Sequence, residues 1–234
     1  KLVRPLGFNK DNPYGLQIHK YDNTQPETLE YLSRVRKVLD KYDAISVGEI
    51  VSENPFDVIG EYANDQRLHM AYCFEFLSED FNFSDTNKIV DQFFHNNPNS
   101  WPCWSFSNHD SMRITSRINK PSKEIMKKLL ELKGNICIYQ GEELGLHETE
   151  VKFEDLKDPF GKNFWPEFKG RDGCRTPMPW NSKKINLGFS DAKPWLPVNS
   201  AYAAKSAKQQ HTDPDSMLNY TKELIKLRKK GFAA

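Results

Sequence analysis

The amino-acid sequence predicts an α/β fold in which parallel strands alternate with helices. Short apolar segments bounded by turn residues recur along the chain, which is typical of buried strands. Segments whose apolar residues follow helical spacing lie between them. Four strand–helix repeats of this kind predict parallel strands that are joined by right-handed crossover connections.

The first half of the chain is predicted to contain two helices and three strands. Leu29, Leu32 and Val35 follow the spacing of one helix face, and Thr24 or Thr28 is the candidate cap of that helix. The strands are short and rich in aromatic or β-branched residues. In chain order, the predicted elements are a loop over 1–26, a helix over 26–42, strands over 44–50 and 70–77, a helix over 86–94 and a strand over 101–106.

The second half is predicted to contain two helices, one strand and a long irregular segment. Ile125, Met126, Leu129 and Leu130 define an amphipathic helix. The irregular segment is rich in Pro, Gly, Trp and Phe, and its length predicts an ordered excursion that carries function. The elements are a helix over 123–132, a strand over 135–139, the excursion over 142–200 and a helix over 214–230, with Met217, Leu218, Tyr220, Thr221, Leu224, Ile225 and Leu227 on its inner face.

The number of strand–helix units indicates part of a (β/α)8 barrel. A complete barrel has eight such units in roughly 250 residues, whereas this chain of 234 residues has four. The sequence therefore predicts one domain over 1–234 that corresponds to half of such a barrel. Enzymes with this fold place their chemistry at the carboxyl ends of the strands.

Two acidic residues lie at the carboxyl ends of β-prone segments. Ile-Ser-Val-Gly over 45–48 leads to Glu49, and Asp110 ends the segment Phe-Ser-Asn-His-Asp. Cleavage of a glycosidic bond needs one acid that donates a proton and another that stabilises a cationic transition state. Glu49 can also be an ordinary polar residue at the end of a strand, and Asp110 can be a helix N-cap.

Basic residues accompany the second acid. His109 can donate a hydrogen bond to a sugar hydroxyl, and Arg113 can hold a carboxylate in place. Arg171 and Arg175 lie in a Gly-rich loop within an aromatic segment, and this combination suits a sugar site. A structural salt bridge is the alternative for either arginine.

Composition and motifs argue against several other classes. With 33 basic and 32 acidic residues, the net charge of +1 provides no field that would attract nucleic acid or an anionic membrane. The four cysteines lack the spacing of a zinc or redox motif and are predicted to be reduced packing residues. No HExxH, GxGxxG or GxSxG motif occurs, so no metal, no cofactor and no serine nucleophile is expected.

Five segments together resemble the α-glucosidase and oligo-1,6-glucosidase branch of the α-amylase superfamily, glycoside hydrolase family 13. Residues 47–50 resemble its general acid/base segment on the fifth barrel strand, and residues 106–110 resemble its transition-state-stabilising segment on the seventh. Residues 139–145 resemble the loop that leaves the eighth strand, 170–180 the Arg-Thr-Pro-Met loop, and 22–27 the start of the fourth barrel helix. The resemblance covers nearly the whole chain and implies a TIM barrel that is present from about strand five to strand eight.

The resemblance implies a retaining, double-displacement mechanism. Glu49 would protonate the leaving oxygen and later activate water, and Asp110 would bind the sugar hydroxyls. The family's nucleophile lies in a Gly-Phe-Arg-x-Asp segment that has no match here, so the chain alone is expected to be inactive. An N-terminal half-barrel and a C-terminal β-domain are likewise expected to be absent. The residues that the resemblance assigns to the glucose site are His109, Arg175 and Arg113, with Arg171 as a helper.

The predicted function is hydrolysis of terminal α-linked glucose from short gluco-oligosaccharides in carbohydrate metabolism. The expected partner is that substrate alone, without nucleic acid or membrane, and the expected compartment is the cytoplasm. The oligomeric state is left open. Two alternatives remain: a transglycosylating or isomerising relative of the trehalose or isomaltulose synthase type, and a non-catalytic transporter-subunit homologue.

Overall fold

A computed structural model describes residues 21, 24–50, 52, 54–78 and 80–231. The predicted loop over 1–26 and the first two residues of the 22–27 segment lie largely outside this part. The chain divides into two compact units. The first contains the described residues up to Ser105 together with Leu132–Cys137, and the second contains Phe106–Glu131 and the residues from Ile138 onward.

The first unit contains a four-stranded parallel sheet, as the sequence predicts. The strands lie in chain order, so each one pairs with its neighbours in sequence. Val47 pairs with Met70, Ala71 with Pro102, and Cys103 with Asn135. The strands are β1 (Val47–Gly48), β2 (Met70–Cys73), β3 (Pro102–Trp104) and β4 (Asn135–Ile136).

All four strands are shorter than their apolar segments suggest. Residues 44–46 and 49–50 do not join β1, and the Ile45 side chain is 73% exposed. Beyond β2, Glu75–Leu77 form a 3-10 turn. Apolar segments predict where a strand occurs, but its length depends on how many residues the neighbouring strand can pair.

Aromatic side chains form the core behind β3. Trp104 is fully buried and packs against Phe76 and Phe93, with ring centroids 5.0 and 5.5 Å apart. Its indole Nε1 donates a hydrogen bond to the Lys133 carbonyl, 2.6 Å away, immediately before β4. The packing connects β3 to the turn after β2 and to the helix that carries Phe93, and the hydrogen bond connects it to the segment that leads into β4.

Among the described residues of the first unit, three α-helices accompany the sheet. They are α1 (Pro26–Lys41), α2 (Pro55–Tyr62) and α3 (Thr86–Asn96). α2 has no counterpart among the predicted elements, although proline at its start and the buried Val58, Ile59 and Tyr62 are typical helix signals. α1 buries none of its residues, and Val35 and Val38 on its apolar stripe are 46% and 57% exposed.

The second unit contains five helices among its described residues. The periodic segments form α5 (Ser122–Glu131) and α8 (Met217–Lys229), as predicted. Ser216 caps α8 by accepting a hydrogen bond from the Asn219 amide, so the helix begins at Met217 and not at the predicted position 214. Leu227 is 51% exposed, so its predicted place on the inner face is wrong. The shorter helices are α4 (Ile114–Arg117), α6 (Pro159–Asn163) and α7 (Ala207–Thr212).

The segment over 142–200 consists of turns that contribute to their own core. Leu144, Leu146 and Met178 are buried together with Tyr202. The Tyr202 hydroxyl bonds to the His147 carbonyl and accepts a hydrogen bond from Thr149. Buried side chains and internal hydrogen bonds therefore give this segment a defined path without long helices or strands.

Candidate active site

Glu49 is an exposed residue that directly follows β1 in the first unit. Gly48 precedes it, and a Cβ atom added there would lie 2.5 Å from the Leu68 side chain. Among the described residues, no group hydrogen bonds to the Glu49 carboxylate or forms an ion pair with it. The negative charge of Glu49 is one of the smaller causes that raise the pKa of Tyr72, after the Cys137 hydrogen bond and burial.

Asp110 lies in the second unit on a tight turn that the Asn108 side chain organises. The Asn108 side-chain oxygen Oδ1 accepts hydrogen bonds from the Asp110 amide at 2.9 Å and from the Ser111 hydroxyl at 3.0 Å. Ser107 accepts a hydrogen bond from the Ile114 amide at 2.9 Å, which fixes the far end of the turn. The motif thus positions Asp110 by hydrogen bonds of its own polar residues.

Two arginine side chains hold one oxygen of the Asp110 carboxylate. Arg171 Nη1 donates to Asp110 Oδ1 at 2.9 Å, and Arg175 Nη2 donates to the same oxygen at 2.7 Å. The Asp110 side chain is 41% exposed. Oδ1 is therefore occupied and compensated by positive charge, whereas Oδ2 faces His109 Nε2 at 3.5 Å.

His109 and Arg175 are joined through the backbone. Arg175 Nε donates to the His109 carbonyl at 2.7 Å, so one guanidinium contacts both residues of the His-Asp pair. The His109 side chain is 61% exposed. The structure thus brings together four of the residues expected at the site, His109, Asp110, Arg171 and Arg175, within the second unit.

Arg113 differs from these residues because it is almost completely buried, at 2% exposure. Nη1 donates to the Gln140 carbonyl at 2.8 Å and Nη2 to the Cys174 carbonyl at 2.9 Å, and the guanidinium lies over the Tyr139 ring. These contacts connect two loops that are distant in sequence. The contacts observed for Arg113 are therefore structural, and the predicted contact with substrate stays a prediction.

Glu142 is a buried acid that sequence reasoning did not assign to the site. Burial raises its pKa to about 7, although hydrogen bonds from Ser107 and the Tyr139 amide and the charge of Arg113 oppose this shift. The Tyr139 amide donates to Glu142 Oε2 at 2.8 Å. Through Ser107, Glu142 is connected to the turn that carries Asp110.

Asp158 is the other residue that sequence reasoning missed. Its side chain is fully buried and forms an ion pair with Arg171, whose Nε lies 2.9 Å from Asp158 Oδ2. The Asp-Pro step at the start of α6 indicates a helix cap, and the Asp158 side chain does accept a hydrogen bond from the Phe160 amide. Nothing in the sequence indicates the ion pair, because its partner lies thirteen residues further along an aperiodic loop.

No group of three or more His, Cys, Asp or Glu residues within the described part of the chain could hold a metal ion. In the same residues, no helix combines the length and the apolar character that crossing a bilayer would require. The four cysteines are free thiols, and Cys73, Cys103 and Cys174 are buried.

Residues 7–233 match the family model described as alpha amylase, catalytic domain. A protein of Rhizobium meliloti named probable alpha-glucosidase is 43% identical over 93% of this chain and 41% of its own length. Probable oligo-1,6-glucosidase 2 of Bacillus subtilis is 32% identical over 93% of this chain and 44% of its own length. The chain thus spans less than half the length of these relatives.

Two solved enzyme structures are also similar to this chain, and the chain again covers less than half of each. The alpha-glucosyl transfer enzyme XgtA is 44% identical with a TM-score of 0.90, over 97% of this chain and 44% of that one. An isomaltulose synthase of Erwinia rhapontici is 26% identical with a TM-score of 0.77, over 90% of this chain and 44% of that one. The predicted fold class is confirmed, and the covered share fits part of a barrel.

Proposed function

The chain belongs to the alpha-amylase catalytic-domain family, and from this premise we propose that the protein is a retaining α-glucosidase. It removes terminal α-linked glucose from short gluco-oligosaccharides. The names of the two curated relatives, an alpha-glucosidase and an oligo-1,6-glucosidase, support this substrate class.

The observation that carries the proposal is that both arginines bind the same carboxylate oxygen of Asp110. Arg171 and Arg175 both bind Oδ1, so the charge of the carboxylate is compensated at one oxygen while Oδ2 can accept hydrogen bonds from sugar hydroxyls. Such a carboxylate stabilises the positive charge that develops on the sugar ring without having to reorganise during the reaction. His109 and Arg175 contact the same glucose in this proposal.

Glu49 is the proton donor in the proposed reaction. It protonates the glycosidic oxygen in the first step and removes a proton from water in the second. The carboxylate nucleophile is proposed to come from outside these 234 residues, because none of their segments matches the family's Gly-Phe-Arg-x-Asp motif.

The test is hydrolysis of p-nitrophenyl α-glucoside by the protein as its gene encodes it. Glu49→Gln is expected to lower kcat/KM for this substrate by about 10²- to 10³-fold, the lower part of the usual contribution of a general acid, because the p-nitrophenyl group departs readily. Glu61→Gln, on the exposed surface of α2, is the matched control and is expected to retain full activity. The 234 residues expressed alone are expected to be inactive.

Two outcomes would contradict the proposal. A Glu49→Gln variant as active as Glu61→Gln would remove Glu49 from the mechanism. Turnover by the 234 residues alone would place a nucleophile among them.

Transfer of glucose to a sugar acceptor is the second candidate, and the 44% identity to an alpha-glucosyl transfer enzyme favours it. Both reactions use the same acids and differ in whether water or a sugar attacks the intermediate. Product analysis with maltose in the presence of a second sugar separates them. Free glucose alone indicates hydrolysis, and new disaccharides indicate transfer.

The proposed compartment is the cytoplasm, and the proposed partner is the oligosaccharide substrate alone. Four free thiols, three of them buried, support a reducing environment, since disulfides are rare there. Alkylation and mass determination of protein purified without reductant test this proposal. Four alkylated thiols are expected, and an oxidised pair would contradict it.

A further inference from the structure

Asp158 is a buried carboxylate that binds a single side chain, Arg171, from two directions. Its Oδ2 accepts hydrogen bonds from Arg171 Nε at 2.9 Å and from the Arg171 amide at 2.8 Å, and Oδ1 accepts one from Nη2 at 3.0 Å. Burial opposes the negative charge, but these hydrogen bonds together lower the pKa of Asp158 below its ordinary value. The carboxylate therefore binds Arg171 in a bidentate geometry, which fixes the plane of the guanidinium.

The clamp leaves one end of the guanidinium for Asp110. With Nε and Nη2 bound to Asp158, Arg171 reaches Asp110 only through Nη1. Without Asp158, the Nε and Nη2 edge of the guanidinium would be free to turn toward Asp110 and to bind both carboxylate oxygens. Asp158 thus fixes the guanidinium in the orientation in which Nη1 contacts Oδ1 of Asp110.

The surrounding loop supports the same orientation. The Phe160 ring lies 5.1 Å from Arg171 Cζ and covers one face of the guanidinium. Gly170 has φ +81°, and a Cβ atom added there would lie 2.8 Å from Gly161 Cα. The two glycines allow the backbone segments that carry Asp158 and Arg171 to approach closely.

Arg175 binds the same oxygen without such a clamp. Its other contact is the hydrogen bond from Nε to the His109 carbonyl, and among the described residues its only carboxylate partner is Asp110. The two arginines therefore share a target but differ in how they are oriented.

We propose that Asp158 is a positioning residue that directs Arg171 to one oxygen of Asp110, so that the other oxygen, which faces His109, has no arginine contact and can accept hydrogen bonds from the sugar. This inference rests on the proposed role of Asp110. Asp158 does not touch substrate, and its effect on catalysis passes through Arg171.

The test is a double-mutant cycle in the protein as its gene encodes it, with p-nitrophenyl α-glucoside as substrate. Asp158→Asn is expected to lower kcat/KM by about 10- to 100-fold, because Arg171 then turns toward both Asp110 oxygens and misplaces the carboxylate. In an Arg171→Met background, the same substitution is expected to change kcat/KM less than twofold, since non-additivity marks residues that act together. Asp155→Asn, on the exposed surface of the same loop, is the control with unchanged activity.

Separate outcomes identify which inference fails. If Asp158→Asn lowers activity equally in both backgrounds, its role is general to the loop and the positioning role is wrong. If Asp158→Asn does not fold, Arg171→Lys decides, because lysine keeps the charge but cannot bind Asp158 in the same bidentate way. Wild-type kcat/KM for Arg171→Lys would overturn the inference. If Asp110→Asn is itself fully active, the proposed function falls instead.

Discussion

The two candidate acids are held in different ways, although each follows a strand of the same sheet in sequence. Asp110 is positioned by an Asn108 turn and two guanidinium groups, all within the second unit. Glu49 follows a strand of two residues and has no hydrogen-bond or ion-pair partner among the described residues. A carboxylate that stabilises transition-state charge gains from a fixed position. A proton donor must instead be protonated before the reaction, and a cationic partner would oppose that protonation. The difference between the two sites fits their proposed roles.

The largest expected effect is a loss of kcat/KM whose size depends on the leaving group for a Glu49 variant but not for an Asp110 variant. A sugar leaving group needs protonation, so Glu49→Gln should lower kcat/KM for maltose by about 10³- to 10⁴-fold. A p-nitrophenyl group departs with little help, and the loss should be at least tenfold smaller. Asp110→Asn should lower kcat/KM for both substrates by a similar factor of about 10²–10³, because it acts on the sugar ring.

The measurement is kcat/KM for maltose and p-nitrophenyl α-glucoside with wild-type protein and both variants. Asp191→Asn, an exposed aspartate elsewhere in the second unit, is the control for a change of charge. Equal losses on both substrates for Glu49→Gln would contradict its role as the proton donor.

The next effect is a loss of stability on replacing Arg113, the buried residue that connects the loops of Gln140 and Cys174. Replacing Arg113 by Met leaves the carbonyls of Gln140 and Cys174 without their donor and removes a charge that faces Glu142. We expect Arg113→Met to lower the free energy of unfolding by about 3 kcal/mol, as for other buried charged groups that lose a partner. Urea unfolding measures this loss.

Lys127→Met is the matched control, because Lys127 is an exposed cation whose ion pair with Glu131 is 3.8 Å long. We expect less than about 0.5 kcal/mol for that change. A similarly small loss for Arg113→Met would show that the guanidinium does not hold the two loops together. That result would favour the contact with substrate that the sequence predicts for Arg113.

The sequence predicts the helices of this chain better than its strands. The helices α1, α5 and α8 follow from apolar spacing, because a helix forms its hydrogen bonds within its own segment. The extent of β1 depends on the residues that β2 offers for pairing, and the predicted strand over 44–50 shrinks to Val47–Gly48. α2 has only eight residues, too few for its periodicity to stand out.

The site shows the same division between local and long-range information. The Asn108 turn that carries Asp110 lies within the four residues 108–111 and overlaps the motif over 106–110 that the sequence shows. The burial of Arg113 depends on carbonyls supplied by Gln140 and Cys174, which are 27 and 61 residues away. Asp158 depends on a close approach of two loop segments at glycine residues. Contacts of this kind leave no pattern of spacing in the sequence.

The smallest expected effect is a dependence of the free energy of unfolding on pH, caused by the buried Glu142 that bonds to the Asp110 turn through Ser107. Burial raises the pKa of Glu142 from its ordinary value of 4.5 to about 7, so the folded state binds a proton that the unfolded state releases. Between these two values the unfolded chain holds fewer protons, and the free energy of unfolding therefore falls as pH rises. The shift corresponds to at most about 3 kcal/mol.

The difference between the wild-type protein and Glu142→Gln isolates this contribution. Burial also raises the pKa values of Glu143 and Glu148, so the wild-type slope alone would not identify Glu142. Glutamine keeps an oxygen that can accept the hydrogen bond from the Tyr139 amide but carries no titrating proton. Urea unfolding gives the free energy of unfolding at pH 5 and at pH 8. Its decrease over this interval should be about 1–3 kcal/mol smaller in the variant than in the wild type. An identical loss would mean that Glu142 does not titrate there. Its carboxylate would then be ionised at both pH values, with the charge of Arg113 outweighing the effect of burial.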